Sequence, residues 1–176
     1  MADLHPDSAY SRDRHADPGS AIAFSPANRV RFEALLERYP TKMAALLPTL
    51  HLAQEEWGWI SPEAVYYIGD LLDLAPATVF GVVSFYNMYN QKPVGKYYLQ
   101  VCTNLSCMLM NAYDIYDDLC ERLEVTPGQT TSDGKFTVTE VECLGSCGTA
   151  PVVQVNNDYH EDMTVVKMKD LLATMK

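Results

Sequence analysis

Apolar residues recur at helical spacing through the first half of the chain and change to strand-like alternation in the second. Ser25-Pro26 supplies an N-cap with proline at the first helical position, and Phe32, Leu35, Leu36 and Tyr39 follow on one helical face until Pro40. A second helix is predicted over Lys42 to Trp57 from Met43, Leu46, Leu47, Leu50 and Ala53, ending at Gly58, with Pro48 as an expected kink. Ser61-Pro62 opens a third through Val65, Ile68, Leu71 and Leu72, and Ala75-Pro76 a short fourth through Val79 and Val83. These four amphipathic helices predict a small bundle between Ser25 and about Asn90.

From Gly95 the period changes. Lys96 to Val101 is β-rich, Met108 to Leu123 reads as a helix, and Lys135 to Val141 alternates as a strand. Pro151 to Val155 is a further strand, Asn156-Asn157-Asp158 a turn, and Met163 to Met175 a closing helix. The fold class is therefore α/β, with a flexible tail over 1–22, a helical bundle over 23–92 and an α/β domain over 93–176.

Composition narrows the function. The 176 residues are 48% apolar and carry a formal net charge of −10, which argues against nucleic acid, because phosphate binding needs clustered Lys and Arg. No run approaches the roughly 18 apolar residues that a membrane span needs, so no direct membrane insertion is expected. Residues 1–22 carry Asp3, Asp7, Asp13 and Asp17 without apolar periodicity, unlike a signal peptide or an acid-poor mitochondrial presequence. They read as a plain extension or as a docking arm. Neither a G-x-G-x-x-G turn after a strand nor a Walker sequence occurs, so no nucleotide site is expected on this chain.

The decisive chemistry is in the cysteines. Cys102 and Cys107 form C-x4-C, Cys143 and Cys147 form C-x3-C, and 35 residues separate the pairs. A disulfide framework suits short secreted chains, and a redox pair of the thioredoxin type needs C-x-x-C, which is absent. Structural zinc prefers ligands two to four residues apart and fits at the edge of that range. An iron–sulfur cluster fits better, since four thiolates hold a [2Fe–2S] or a [4Fe–4S] centre and two separated pairs suit two irons, one pair on each. The loops between the thiols are uncharged, and Gly145 and Gly148 free the backbone to bring N–H groups toward sulfur. The fifth cysteine, Cys120, falls on the same helical repeat as Ile115, Leu119 and Leu123, and reads as core or helix flank.

Five longer stretches carry a resemblance. They are Arg38-Tyr-Pro-Thr-Lys42, Leu50 to Ser61, Val82-Val-Ser-Phe-Tyr86, Val101 to Met108 and Val141 to Pro151. Together they resemble the thioredoxin-like [2Fe–2S] ferredoxin family, and within it the NuoE-type subunits of respiratory NADH:quinone oxidoreductase (complex I), from about Phe24 to the C-terminus. The resemblance implies a thioredoxin-like domain after the helical bundle and one [2Fe–2S] cluster held by Cys102, Cys107, Cys143 and Cys147. It also implies a partner subunit that binds FMN and NADH, a larger respiratory complex, and a peripheral position on the cytoplasmic side of the bacterial inner membrane. No catalytic side chain is expected; the role is electron transfer within an oxidoreductase. The same signature occurs in diaphorase subunits of NAD-linked hydrogenases and formate dehydrogenases, and a free thioredoxin-like ferredoxin is the binding-module alternative.

Two smaller expectations follow. Trp57, Trp59, Phe85, Tyr86, Met88 and Tyr89 are either core or a surface for a partner subunit, Tyr, Trp and Met being favoured at interface cores. Glu142, beside Cys143, and Glu140 before it are expected to hold the cluster potential low, Glu142 the more so, unless solvent screens them.

Overall fold

The computed structural model describes residues 22–176, so the tail expected over 1–22 lies outside the described residues except for Ile22. The chain divides after Pro93 into two compact units.

The first unit is built from α1 (Pro26–Arg38), α2 (Leu46–Trp57), α3 (Pro62–Leu72) and α4 (Pro76–Phe85). Its starts and stops are local chemistry. Ser25 accepts from the Asn28 N–H at 3.4 Å, Ser61 accepts from the Ala64 N–H at 3.2 Å, and proline takes the first helical position after each. Gly58, at φ 78°, ends α2 by returning its N–H to the Gln54 carbonyl. Phe32, Leu50, Ile60, Ile68, Leu72, Val79 and Val83 are buried in a common core. Glu56 ties α2 to the start of α1, accepting from the Ser25 N–H at 2.7 Å and the Asn28 side-chain amide at 2.8 Å.

The second helix is shorter than expected, and Pro48 does not kink it. Residues 42–45 form a turn, with Thr41 Oγ1 accepting from the Ala44 N–H, so α2 starts at Leu46 and Pro48 lies in its first turn. A first-turn residue has no intrahelical N–H bond to lose.

The second unit is a four-stranded sheet flanked by helices. Its strands are β1 (Tyr97–Cys102), β2 (Phe136–Val141), β3 (Val153–Val155) and β4 (Asp158–His160), in the order β2-β1-β3-β4. β1 pairs parallel with β2, from Tyr97 opposite Phe136 to Cys102 opposite Val141, and antiparallel with β3. α5 (Leu105–Leu109) and α6 (Ala112–Leu123) follow β1, and α7 (Val165–Thr174) closes the chain behind its Thr164 cap. Leu99, Val101, Val138 and Val153 from the sheet meet Ile115, Leu119 and Met168 from the helices in one core.

One expectation needs correction here and one gains a strand. The helix predicted over Met108 to Leu123 is two helices, because Asn111 takes φ 66° and breaks the spiral between α5 and α6. Asparagine is among the few non-glycine residues that visit this region readily. The turn predicted at Asn156 to Asp158 is the tip of a hairpin: Asn156 has φ 54°, Val155 pairs with Asp158, and the short, largely exposed β4 follows.

Candidate iron–sulfur site

The parallel pairing of β1 and β2 decides where the thiols go. Cys102 is the last residue of β1 and lies opposite Val141, the last of β2, so both cysteine-bearing loops leave the same end of the sheet. Ligands bind beyond the carboxyl ends of strands in open α/β sheets for this reason. The Cys102 N–H donates to the Val152 carbonyl and the Thr103 N–H to the Val141 carbonyl, each at 3.1 Å, which anchors the first loop on both neighbours. Asn104 then accepts from the Leu105 N–H at 2.8 Å and starts α5, whose middle residue is Cys107.

Cys102, Cys107, Cys143 and Cys147 line one pocket, with Gly145 and Val152 among its other walls. Cys120 is half-buried on α6 against the core and is not part of that lining. The four thiols are not equivalent. Cys102 and Cys107 are 3% and 2% exposed, whereas Cys143 and Cys147 face solvent. The expected approach of backbone N–H to sulfur is made at Gly145, whose N–H donates to Cys143 Sγ at 3.4 Å from a left-handed backbone, φ 78°.

The donor set fits a soft, multinuclear centre. The pocket lining contains four sulfurs and no histidine or carboxylate. Among the described residues, no three His, Cys, Asp or Glu side chains gather as the ligands of one ion. A two-iron cluster asks for two thiolates on each iron rather than three or four around one point.

Of the carboxylates named from sequence, Glu140 and Glu142 are both exposed. Glu140 accepts from Thr103 Oγ1 at 3.4 Å, while Glu142 meets the site through its backbone carbonyl, 3.8 Å from Cys102 Sγ. The sequence reading missed a carboxylate from elsewhere in the chain. Glu161 Oε1 accepts from the hydroxyls of Ser146 and Thr149, which flank Cys147, the latter at 2.8 Å. These bonds hold its carboxyl below the usual range. The Ser146-x-x-Thr149 spacing signals a local hydroxyl turn, but no sequence pattern links it to Glu161.

Burial pushes the Cys107 thiol up to about 11, and the adjacent Cys102 thiol adds to the shift. Iron binding must therefore displace a firmly held proton. Without a cluster, an unfolded Cys107 ionises near its ordinary 9.0, while the folded one keeps its proton until about 11. That stabilisation is complete below the lower value and is lost as pH rises through the interval. The expected result in cluster-free protein is a falling unfolding midpoint across that window. Iodoacetamide at mildly alkaline pH should label the exposed Cys143 and Cys147 before Cys107, as read by peptide mass mapping. Equal labelling rates would contradict the protection of Cys107 by burial.

The site lies within a recognisable family. The family model of thioredoxin-like [2Fe–2S] ferredoxins matches residues 32–176. The chain belongs to the thioredoxin-like [2Fe–2S] ferredoxin family. Among curated members, NADH-quinone oxidoreductase subunit 2 of Thermus thermophilus is 46% identical over 147 residues, covering 82% of this chain and 81% of its own length. Another NADH-quinone oxidoreductase subunit, from Rickettsia typhi, is 41% identical over 154 residues, covering 86% of this chain and 91% of its own. A solved NAD+-reducing [NiFe]-hydrogenase in the H2-reduced state matches with a TM-score of 0.66 at 22% identity, over 74% of this chain and 22% of that one. That likeness concerns the fold alone.

The aromatic set named from sequence runs from core to surface, with Trp57, Trp59 and Tyr86 half-buried. Tyr89 is buried, donating its hydroxyl to the Leu47 carbonyl at 2.9 Å, and Trp57 stacks on Phe24 with centroids 5.1 Å apart. Phe85 is 78% exposed and Met88 is exposed as well. A second apolar surface, absent from the sequence reading, adjoins the thiols themselves. Leu105, Met108, Leu109, Met110 and Tyr113 are all exposed along the α5–α6 corner that carries Cys107.

Proposed function

We propose that this chain is the electron-transfer subunit of an NADH:quinone oxidoreductase. In this reading Cys102, Cys107, Cys143 and Cys147 hold one [2Fe–2S] cluster, which exchanges single electrons with FMN in a partner subunit that also binds NADH. The observation that carries the reading is the meeting of two distant cysteine pairs in one pocket at the rim of the sheet. The kinship with NADH-quinone oxidoreductase subunits along most of the chain supports it. When bound, the cluster supplies a one-electron couple tuned by hydrogen bonds, burial and neighbouring charge.

The residues of this chain divide the remaining work. Cys102 and Cys107 form the buried side of the site, and the Gly145 N–H donates to the Cys143 sulfur. Cys143 and Cys147 leave the other side open, and the uncovered apolar corner at Leu105 and Leu109 offers a partner a dry contact next to the centre. NADH and flavin are assigned to the partner because the sequence has no dinucleotide-binding turn. Among the described residues no helix is long and apolar enough to cross a membrane. Attachment at the cytoplasmic side of the bacterial inner membrane would thus run through other subunits of the respiratory complex.

The hydrogenase likeness keeps one second reading, an equivalent diaphorase subunit of an NAD-linked hydrogenase or formate dehydrogenase. Absorption and EPR spectra of anaerobically purified protein, with iron and sulfide counted, test the cluster. About two irons per chain and an S = 1/2 signal after dithionite are the expected result. A colourless chain holding one zinc would remove the electron-transfer role. Co-purification with a flavin subunit, followed by assays with quinone or hydrogen, separates the two readings.

A further inference from the structure

The loop that carries Cys143 and Cys147 is long for what holds it locally. It leaves β2 at Val141, and its thiols are exposed. Within the loop, the Gly145 N–H reaches the Cys143 sulfur and the Thr149 N–H reaches the Ser146 carbonyl at 3.2 Å. The Ser146 and Thr149 hydroxyls also lie 2.8 Å apart, and the Cys102 thiol reaches the Glu142 carbonyl at 3.8 Å. A further set of ties comes from one distant segment. The Tyr159 hydroxyl, on β4, donates to the Leu144 carbonyl at 3.0 Å, between the two cysteines. Glu161 follows β4 and accepts from Ser146 and Thr149, on either side of Cys147. The Asp162 N–H donates to the Thr149 carbonyl at 2.8 Å and the Met163 N–H to the Pro151 carbonyl at 2.9 Å.

Charge makes Glu161 an unexpected residue here. A centre with four thiolates is anionic, and a nearby carboxylate disfavours both its formation and its reduction. A carboxylate, however, brings no proton of its own and can accept from two hydroxyls on one oxygen. Serine and threonine side chains each have a single proton to give, and Glu161 Oε1 lies within reach of both hydroxyls, which also lie 2.8 Å from each other. Its geometric effect falls on Cys147, which lies between them.

We propose that Glu161 is a positioning residue for the cluster, acting with Tyr159 as a clamp from the β4 end that holds the second cysteine loop ready to ligate. The proposal rests on the four-cysteine reading above. Because Glu161 is exposed, its loss leaves the core intact and acts on the loop. The clamp acts through an accepting oxygen rather than through bulk or charge, so an amide that keeps that oxygen should serve in its place.

The test compares Glu161→Ala and Glu161→Gln in the full chain. The rate of iron loss from reconstituted protein to an excess chelator is measured first. Glu161→Ala should lose iron roughly fivefold faster, the scale of one ordinary net hydrogen bond, and Glu161→Gln should stay near wild type. Amide exchange over residues 145–149 in the cluster-free chain is measured in parallel and should quicken in Glu161→Ala alone. Unchanged exchange and unchanged iron loss in Glu161→Ala would overturn the clamp, and so would Glu161→Gln behaving like alanine, since that would assign the effect to charge. Absence of a cluster in the wild type would instead remove the functional reading, while the exchange experiment still decides the clamp.

Discussion

Cys107→Ser protein is expected to purify without the two-iron chromophore, its iron falling from about two per chain to near zero. The reasons are position and chemistry together. Cys107 is almost fully buried inside α5 and lines the pocket with the other three thiols. A serine hydroxyl is a harder and far less acidic donor than a thiol. Cys102→Ser should behave the same way, and Cys147→Ala should remove a ligand without offering any substitute. Cys120→Ser is the matched control, because Cys120 packs on α6 outside the pocket and its loss should leave iron, sulfide and spectrum unchanged. Full iron content in Cys147→Ala would break the ligand assignment.

The largest expected loss of stability from a single added methyl group is at Gly95, just ahead of β1. A Cβ there would lie 2.8 Å from the Phe136 carbonyl carbon and 2.9 Å from both the carbonyl carbon and the oxygen of Lys135. All three are backbone atoms, so no side chain can rotate away. The Gly95 N–H also donates to Thr137 Oγ1 at 2.7 Å, pinning the glycine against β2. Gly95→Ala must therefore push apart the start of the parallel pair that delivers both thiol loops. We expect a cost of about 2–3 kcal/mol in urea unfolding, with weakened cluster retention. Gly81→Ala supplies the opposite sign. Gly81 is exposed within α4, a Cβ there meets nothing within 4 Å, and alanine should raise stability by about 1 kcal/mol. If both variants unfolded at the wild-type midpoint, neither the close approach at Gly95 nor the open face at Gly81 would govern stability.

These outcomes also mark where sequence is informative. The first three helix ends and the two long strands were legible because their causes are local: Ser25, Pro26, Ser61, Pro62, Gly58 and the alternation through Val141. The thiol pairs were legible from spacing alone. Which pair is buried was not, because that follows from the order β2-β1-β3-β4, with Cys102 on a central strand and the Cys143 loop outside it. Pro48 misled because its effect depends on where in the helix it falls, and the turn at 42–45 moved it into the first turn. Asn111 and Asn156 act through positive φ, a property that asparagine permits without dictating. The Glu161 contacts were invisible for a plainer reason: they join residues 12 and 15 positions apart through a hairpin only partly anticipated.

The position of β1 has a consequence for biosynthesis. β1 is central, flanked by β2 and β3, and both of those strands are translated after it. While the ribosome is still adding residues beyond Cys107, the first thiol pair is already made but the strands that will enclose it do not yet exist. The second pair appears only after β2, and its loop is bonded to residues later still, at Tyr159 and Glu161. On the four-cysteine reading, a cluster that bridges both pairs would wait until β2 and the Tyr159–Glu161 segment have been made. On that same reading, truncated chains that end before β4 should carry the first thiol pair with the second loop lacking its Tyr159 and Glu161 bonds.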